Sequence, residues 1–549
     1  MRGPAGRPAA RSFRRGGANL VPVITEHIPG SLIPVTAADD RDGHDLRRLA
    51  RCLPGHRLHA CAGPVAVHSL ATHTDAVQAG ALFFCLPGNA HDGHRWAAVA
   101  VHRGAAALVV ESPLRQLAGT PQLEVPDARS ALARMARVFH GYPDRRLLLL
   151  AVTGTNGKTT TAYMLQSIFG AARRPLGLLG TVCYRLGRRE VPSPLTTPDA
   201  ALLHAMLAEI AAAGLQGVAL EASSHALAQQ RLEGVEVDTA VFTNLSRDHL
   251  DYHGSVMSYF AAKRRLFRER AGRKPFPALA VVCVDGAPGR LIAREAARHR
   301  QVITYGLERP ADISGRYRPS GSSGGVLAVS GDWGSGEIHL PLPGRHNAQN
   351  ALAAAAAALG NGVPFDTLAH AIATMEPVPG RFETVAGAEG FTVVVDFAHN
   401  PDGLRWALLA ARRRAPGRVR LVFGCKGGDG DDGKRRRMGD LAGHLADVVY
   451  LTTDDPYDED PAEIASRVEP GLISGRAAYR VVLDRAEAVR GAILEAEPGD
   501  LVLVAGRGHE LYQPIRGGRV YLDDRQLCRN ALAERAALGA AADVGARGW

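Results

Sequence analysis

The chain of 549 residues has only seven cysteines, each standing alone, with no C-x-x-C pair. An odd, scattered set argues against a disulfide framework or a zinc ribbon and fits a reducing compartment, so a cytoplasmic site of action is expected. Long apolar runs are missing as well, and no membrane span is expected. The most apolar early stretch, Leu20 to Val35, is interrupted by Glu26, His27 and prolines and leads to no small-residue cleavage site, so a secretory signal is not expected either. Aromatic residues make up only 5% and do not interleave with the basic clusters Arg412–Arg414 and Lys434–Arg437. Despite the net charge of +10, no nucleic-acid module is recognisable, and a basic surface also serves anionic small substrates. Acids are absent from the first fifteen residues, which hold five arginines, so half of the excess charge belongs to a leader.

What is present suits a soluble globular protein: 46% apolar and 22% charged residues, in a chain long enough for about three domains. Residues 1–44 read as a disordered basic extension rich in Arg, Gly, Pro and Ala. From 45 to 147, short apolar strands such as Ala81–Cys85 and Ala106–Val110 alternate with helices. From 148 to 376, the apolar run Arg146–Val152 enters a glycine turn and then a helix over Thr159–Phe169, with further strands at Gly217–Leu220 and Thr239–Phe242. From 377 to 549 a second α/β pattern has strands at Thr392–Val395, Val419–Phe423, Val448–Leu451 and Leu501–Val504. The expected fold is α/β in three domains: a small N-terminal unit, a central P-loop unit with a parallel sheet, and a Rossmann-like C-terminal unit. The Gly/Ser-rich segment Ser320–Gly325 reads as a loop.

The strongest local signal is Gly154-Thr155-Asn156-Gly157-Lys158-Thr159-Thr160 between a strand and a helix. Glycines let backbone N–H groups face phosphate oxygens, and the helix N-terminus adds its dipole. Lys158 is expected at the β- and γ-phosphates of ATP and the Thr159 hydroxyl on Mg²⁺. Val152 stands where the longer P-loop has glycine, so this is the shorter G-x-x-G-K-T form.

Further blocks follow in order: Glu221-Ala222-Ser223-Ser224-His225, Asn244 to Gly254, Ala261-Ala262-Lys263, Gly344 to Asn350, Pro379-Gly380-Arg381, Asp396 to Asp402, and Gly506 to Glu510. With the phosphate loop they closely resemble the Mur ligase family, and within it the branch that adds a third residue to UDP-N-acetylmuramoyl-L-alanyl-D-glutamate. The resemblance runs from about residue 46 to 535. It implies an ATP-dependent amide ligase of peptidoglycan precursor synthesis, hence of cell shape and division, working as a monomer on a nucleotide sugar and an amino acid. It implies Mg²⁺ at Thr159, Glu221 and His249, with Lys263 as a carbamylated ligand. It implies adenine contacts at Asn347 and Asn350, and phosphate and ribose contacts at Arg381, Asp396 and His399. It implies that Thr74, Thr196, Thr197, Ser224, Gln229 and Arg231 hold the UDP substrate. It implies that Asp455, Tyr457, Gly506 and Glu510 meet the incoming amino acid. Rival readings are a diverged Mur-type ligase of secondary metabolism, a folylpolyglutamate-type ligase, or an inactive paralogue, the last disfavoured by intact Lys158, Glu221, His249 and Lys263.

Two departures matter. His73-Thr74-Asp75 replaces the Asp-Ser-Arg usual at the uridine end, so Asp75 is expected to point away or to pair with an arginine. Asp454-Asp455-Pro456-Tyr457 replaces the Asp-Asn-Pro-Arg of enzymes that add meso-diaminopimelate, and a second expected arginine is missing near Gly430. Asp455, Asp458 and Glu459 stand in that loop instead. The expectation is a cationic donor, lysine or ornithine.

Overall fold

The computed structural model describes residues 35–36, 43–88, 92–268, 276–320, 324–387, 390–428 and 431–546. Most of the 1–44 extension therefore lies outside the described residues, as does Gly430. Within the extension, Val35–Thr36 pairs antiparallel with the strand Ser69–Ala71 and adds an edge to the N-terminal sheet. That sheet continues in parallel through Ala81–Phe84, Ala105–Val110 and Gln122–Glu124, and Arg57–His59 closes it antiparallel. The helix Ala128–Phe139 covers it, its N-terminus capped by the Asp127 carboxylate.

The central sheet has eleven strands. Leu148–Thr153 lies inside it, between Gly217–Glu221 and Thr239–Phe242, all three parallel. Every residue of Leu148–Thr153 is buried, which is why the sequence there is apolar without alternation. The chain moves outward from this strand to Leu176–Leu179, returns to Gly217–Glu221 beside it, and then crosses to its other flank. Such a reversal opens a crevice beyond the carboxyl ends of the strands, and the phosphate loop lies there. The helix Arg345–Gly360 is apolar nearly all round and buried from Ala351 to Leu359; its alanines let it lie close against the helix Lys158–Ala171.

In the segment read as a loop, Ser320–Gly325, the described residues Ser320, Gly324 and Gly325 belong to strands: Ile313–Ser320 pairs antiparallel with Gly324–Gly331, to which Gly336–Leu340 adds a third strand. Residues 321–323 lie outside the described residues. Two of these strand positions are glycine because a side chain would collide with the Leu340 carbonyl at Gly324 and the Tyr317 ring at Gly325.

The C-terminal sheet has the order Glu383–Val385, Thr392–Asp396, Leu501–Ala505, Val419–Phe423, Val448–Leu451, Ala478–Val481, parallel except for its first strand. The final helix is fixed by a buried ion pair, Arg485 Nε to Asp524 Oδ1 at 2.7 Å and Nη2 to Oδ2 at 2.7 Å. Both side chains are at most 1% exposed. Removing one partner leaves the other charge buried and uncompensated, so Asp524→Ala should cost about 3–5 kcal/mol. A thermal or urea unfolding curve checks this; a midpoint equal to wild type would contradict it.

Candidate active site

Backbone conformation decides the phosphate loop. Gly154 and Gly157 have φ of 152° and 88°, outside ordinary L-residue space. A Cβ on Gly154 would strike the Thr243 hydroxyl, and one on Gly157 the Asn350 amide oxygen. Asn156 is fixed by its own backbone: its N–H donates to Asn244 Oδ1 (2.9 Å), and its carbonyl accepts from Thr243 Oγ1 (2.7 Å) and Asn244 Nδ2 (3.1 Å). Thr160 is buried in the first turn of the helix that the loop opens. Lys158 folds back over the loop and donates to the carbonyls of Gly154 (3.0 Å) and Thr155 (2.9 Å). Burial pushes its pKa down, against the pull of Glu221 and Asp248.

Glu221, 1% exposed, ends its strand beside this loop. Its carboxylate accepts from Thr159 Oγ1 (3.0 Å), Thr181 Oγ1 (2.9 Å) and the Thr181 N–H (2.8 Å). Arg381 arrives from the C-terminal domain and donates to Thr159 Oγ1 at 2.9 Å, its guanidinium stacked 4.5 Å from the Phe397 ring centre. Asp396 accepts from the Phe382 N–H (2.7 Å) and so fixes the backbone next to Arg381. His399 bonds the Phe397 carbonyl at 2.9 Å and packs on that ring.

Lys263, 1% exposed, enters from the helix Val256–Arg268 and donates to the Gly154 carbonyl at 2.7 Å. Burial first, and Lys158 second, hold its amine well below the usual lysine range. His249 has a left-handed backbone (φ 52°), and its ring lies 4.9 Å from that of His225. Its N–H donates to its neighbour Asp248 at 3.1 Å.

Asn347 and Asn350 lie in the first turns of their helix but do not cap it; the cap position is Gly344. Asn347 Nδ2 donates to the Pro343 carbonyl (2.8 Å), and Asn350 Nδ2 to Asn347 Oδ1 (3.3 Å), which turns the Asn350 oxygen toward Gly157.

On the acceptor side, Thr197 Oγ1 donates to the Glu221 carbonyl (2.7 Å), Arg231 holds the Thr197 carbonyl (2.6 Å), and Gln229 Oε1 accepts from Arg231 Nη2 (2.7 Å). Thr196 Oγ1 lies 3.2 Å from Thr181 Oγ1, and Ser224 is 2% exposed at the start of the adjoining helix. Thr74 belongs to the N-terminal domain, on the short turn Thr74–Ala76. As expected for Asp75, its carboxylate pairs with an arginine, Arg103, at 2.6 Å.

The amino-acid loop corrects one premise. Asp455 is not a spare anion: it lies 2.7 Å from Lys426 Nζ and in contact with Arg507. Glu459 is held by both ends of the buried Arg435 guanidinium at 2.6 and 2.7 Å. These acids therefore exert little outward attraction. Glu510 shares Lys426 at 3.2 Å. Tyr457, 45% exposed with φ 52°, stands where the arginine was expected, and its N–H is held by the Pro514 carbonyl at 3.2 Å. Gly506 is glycine because a Cβ would strike Asp454, whose buried carboxyl is raised by burial against the pull of Lys426, Arg485 and Arg507.

Family profiles match most of this frame: "Mur ligase family, catalytic domain" at residues 66–140, "Mur ligase middle domain" at 152–358, and "Mur ligase, glutamate ligase domain" at 380–508. A relative from Geobacillus thermodenitrificans, UDP-N-acetylmuramoyl-L-alanyl-D-glutamate–2,6-diaminopimelate ligase, is 41% identical over 492 residues, 89% of this chain and 99% of that protein. The chain belongs to the Mur ligase family. It is accordingly an ATP-dependent, ADP-forming ligase. A namesake from Solibacter usitatus is 41% identical over 466 residues, 85% of this chain and 93% of its own. Among solved structures, another ligase of that name aligns with a TM-score of 0.60 at 31% identity over 86% of this chain and 96% of its own. MurF from Acinetobacter baumannii, at 21% identity, shares the fold with a TM-score of 0.61 over 90% of this chain and 99% of its own.

Sequence reading missed Thr181 and Asn400 as partners of the site; Lys426 and Arg507, the two cations it offered as substitutes for the absent arginines, are both engaged by Asp455. Thr181 carries no motif of its own and meets Glu221 only through the fold. Thr181→Val removes one hydrogen bond to a buried carboxylate and should lower turnover roughly tenfold with little change in melting temperature. Steady-state kinetics beside a melting curve tests it, and unchanged turnover would count against a role for Thr181.

Proposed function

We propose that this ligase joins UDP-N-acetylmuramoyl-L-alanyl-D-glutamate to an amino acid in peptidoglycan precursor synthesis. The observation that carries the reading is the line Arg381–Thr159–Glu221, in which a cation from one domain meets the phosphate loop and an acid of another. Carboxylate activation gathers anions, and the cations required stand here: Lys158 in the loop and Arg381 opposite it. The D-glutamate carboxylate takes the γ-phosphoryl group of ATP, releasing ADP. The amine then attacks the acyl carbon, loses a proton and expels phosphate. In this reading Asn347 and Asn350 hold adenine, and Asp396 and His399 border the ribose and phosphates. Thr74, Thr196, Thr197, Ser224, Gln229 and Arg231 hold the UDP substrate. Asp455, Tyr457, Gly506 and Glu510 face the incoming amino acid.

Mg²⁺ fits the donor chemistry. Thr159 and Glu221 offer hard oxygens 3.0 Å apart, and His249 an imidazole. Among the described residues no three His, Cys, Asp or Glu side chains gather into a metal cluster. Magnesium commonly completes its shell with substrate phosphates and water, and a carbamate on Lys263 adds an anionic oxygen. When bound, the ion would neutralise developing charge on the phosphoryl oxygens. Carbamate formation needs a neutral amine, the form that burial of Lys263 favours. Lys263→Ala should cut turnover roughly 100-fold or more, the scale of losing one electrostatic stabiliser. ¹³C NMR of the wild type in labelled bicarbonate should show a carbamate signal that the variant lacks. Normal amide formation by the variant would refute the role.

For the donor we hold to lysine or ornithine, on changed grounds. Asp455 and Glu459 are paired, but a distal carboxylate would still lack a guanidinium at Tyr457, and Lys426 is shared between Asp455 and Glu510. The second reading, 2,6-diaminopimelate, is favoured by the names of the relatives. Competition among L-lysine, L-ornithine and meso-diaminopimelate, followed by phosphate release, should favour the first two; preference for the third would overturn the first reading. Among the described residues no helix is long and apolar enough to cross a membrane. A cytoplasmic, monomeric enzyme serving cell shape and division, without nucleic-acid partners, belongs to the same proposal.

A further inference from the structure

Asn400 precedes the helix Pro401–Arg414 and caps it: its Oδ1 accepts from the Gly403 N–H at 2.8 Å. That hydrogen bond fixes which end of the amide is oxygen, and it fixes where the Nδ2 group points. The Nδ2 donates to Asp248 Oδ2 at 3.0 Å and to Asn156 Oδ1 at 3.1 Å, both in the central domain. Asn156 Nδ2 returns a longer contact, 3.5 Å, to Asn400 Oδ1. The side chain is 1% exposed, and both donors and both acceptor positions of its amide are used.

A helix cap needs only an acceptor, which Asp, Ser or Thr supplies equally well. The donor half of Asn400 therefore serves no purpose within its own domain. It reaches two points of the site at once: Asn156, inside the phosphate loop, and Asp248, whose other oxygen receives the His249 N–H at 3.1 Å. A second cap of the same domain behaves alike. Asp431, the cap of Asp432–Leu445, accepts from Lys434 N at 3.1 Å and pairs with Arg247 at 2.9 Å. Lys434 Nζ stands 3.9 Å from Asp248 Oδ1. Two adjacent residues of the central domain are thus seated at two helix N-termini of the C-terminal domain: Asp248, which a positive helix end favours, and Arg247, which the Asp431 carboxylate holds.

We propose that Asn400 is a positioning residue: its amide latches the C-terminal domain onto the phosphate loop and the His249 turn, so that domain closure and site assembly are one event. The proposal rests on the ligase reading of the site. Asn400→Asp is the informative change, since it keeps the cap acceptor, removes the donor and sets a carboxylate against Asp248. Melting temperature should stay near wild type. Turnover should fall roughly tenfold to a hundredfold, the range for losing a hydrogen bond to a charged group. KM for ATP should move less than kcat. Small-angle X-ray scattering should report a larger radius of gyration than wild type. Combining Asn400→Asp with Asp248→Asn exchanges donor and acceptor, and its scattering profile should return toward wild type. A single variant as compact as wild type, or a double variant as open as the single one, overturns the latch. Scattering decides this whatever the substrate, while an inactive wild type would count against the ligase reading alone.

Discussion

Everything in the site hangs on one carboxylate, Glu221. Buried at the end of its strand, it would be costly there without partners. It is satisfied by Thr159 from the phosphate loop and by two donors of Thr181. Through Thr159 it also meets Arg381 of the C-terminal domain. The phosphate loop, the Thr181 turn and the C-terminal domain are therefore registered on a single acid. Its strand pairs directly with the strand that carries the loop, so the spacing between Glu221 and Thr159 is set by backbone hydrogen bonds and not by flexible chain. Rigid support of that kind is what a pre-organised site requires.

A second consequence concerns charge. The C-terminal pocket contains many ionised groups, and counting them by sequence suggests an anionic surface. In space three of these acids are matched: Asp455 with Lys426 and Arg507, Glu459 with Arg435, Asp524 with Arg485. Matched pairs cancel at the distance of a ligand. At the rim stands Tyr457, exposed, its backbone tied to the strand Tyr512–Ile515. A phenol can donate one hydrogen bond to a carboxylate but cannot neutralise it.

The phosphate loop, the order of domains and most parallel strands were legible in the sequence because each is local: a fully buried strand is an apolar run, and a phosphate cradle needs its glycines in a fixed row. Thr239–Phe242, Val419–Phe423 and Val448–Leu451 fall on the residues that apolar patterning marks. What escaped was non-local. The hairpin after Ile313 hid behind glycines that read as a loop, because the atoms excluding a Cβ come from other strands. Asn400 gains its role only once domains are seated against each other, while Thr181 and Lys426 meet Glu221 and Glu510 within their own domains, 40 and 84 positions away. Acids 455 and 459 were misread as attractive because their partners are distant in sequence: Arg435 stands 24 positions from Glu459, and Arg507 stands 52 from Asp455.

The altered uridine end follows the same logic in reverse. An aspartate where an arginine is usual looks prohibitive for binding a pyrophosphate. Yet Asp75 sits on a short exposed turn, its side chain 58% exposed, and Arg103 stands 2.6 Å away at 43%. An exposed pair of that kind contributes only about 0–1 kcal/mol, so either partner is easily drawn to another charge. The cation expected at position 75 is thus present next door, on a residue the motif does not include, while Thr74 keeps the hydroxyl of the usual serine. A motif lost by residue identity can persist as a local balance of charge, set here by Arg103 beside Asp75 and not by the letter at position 75 alone.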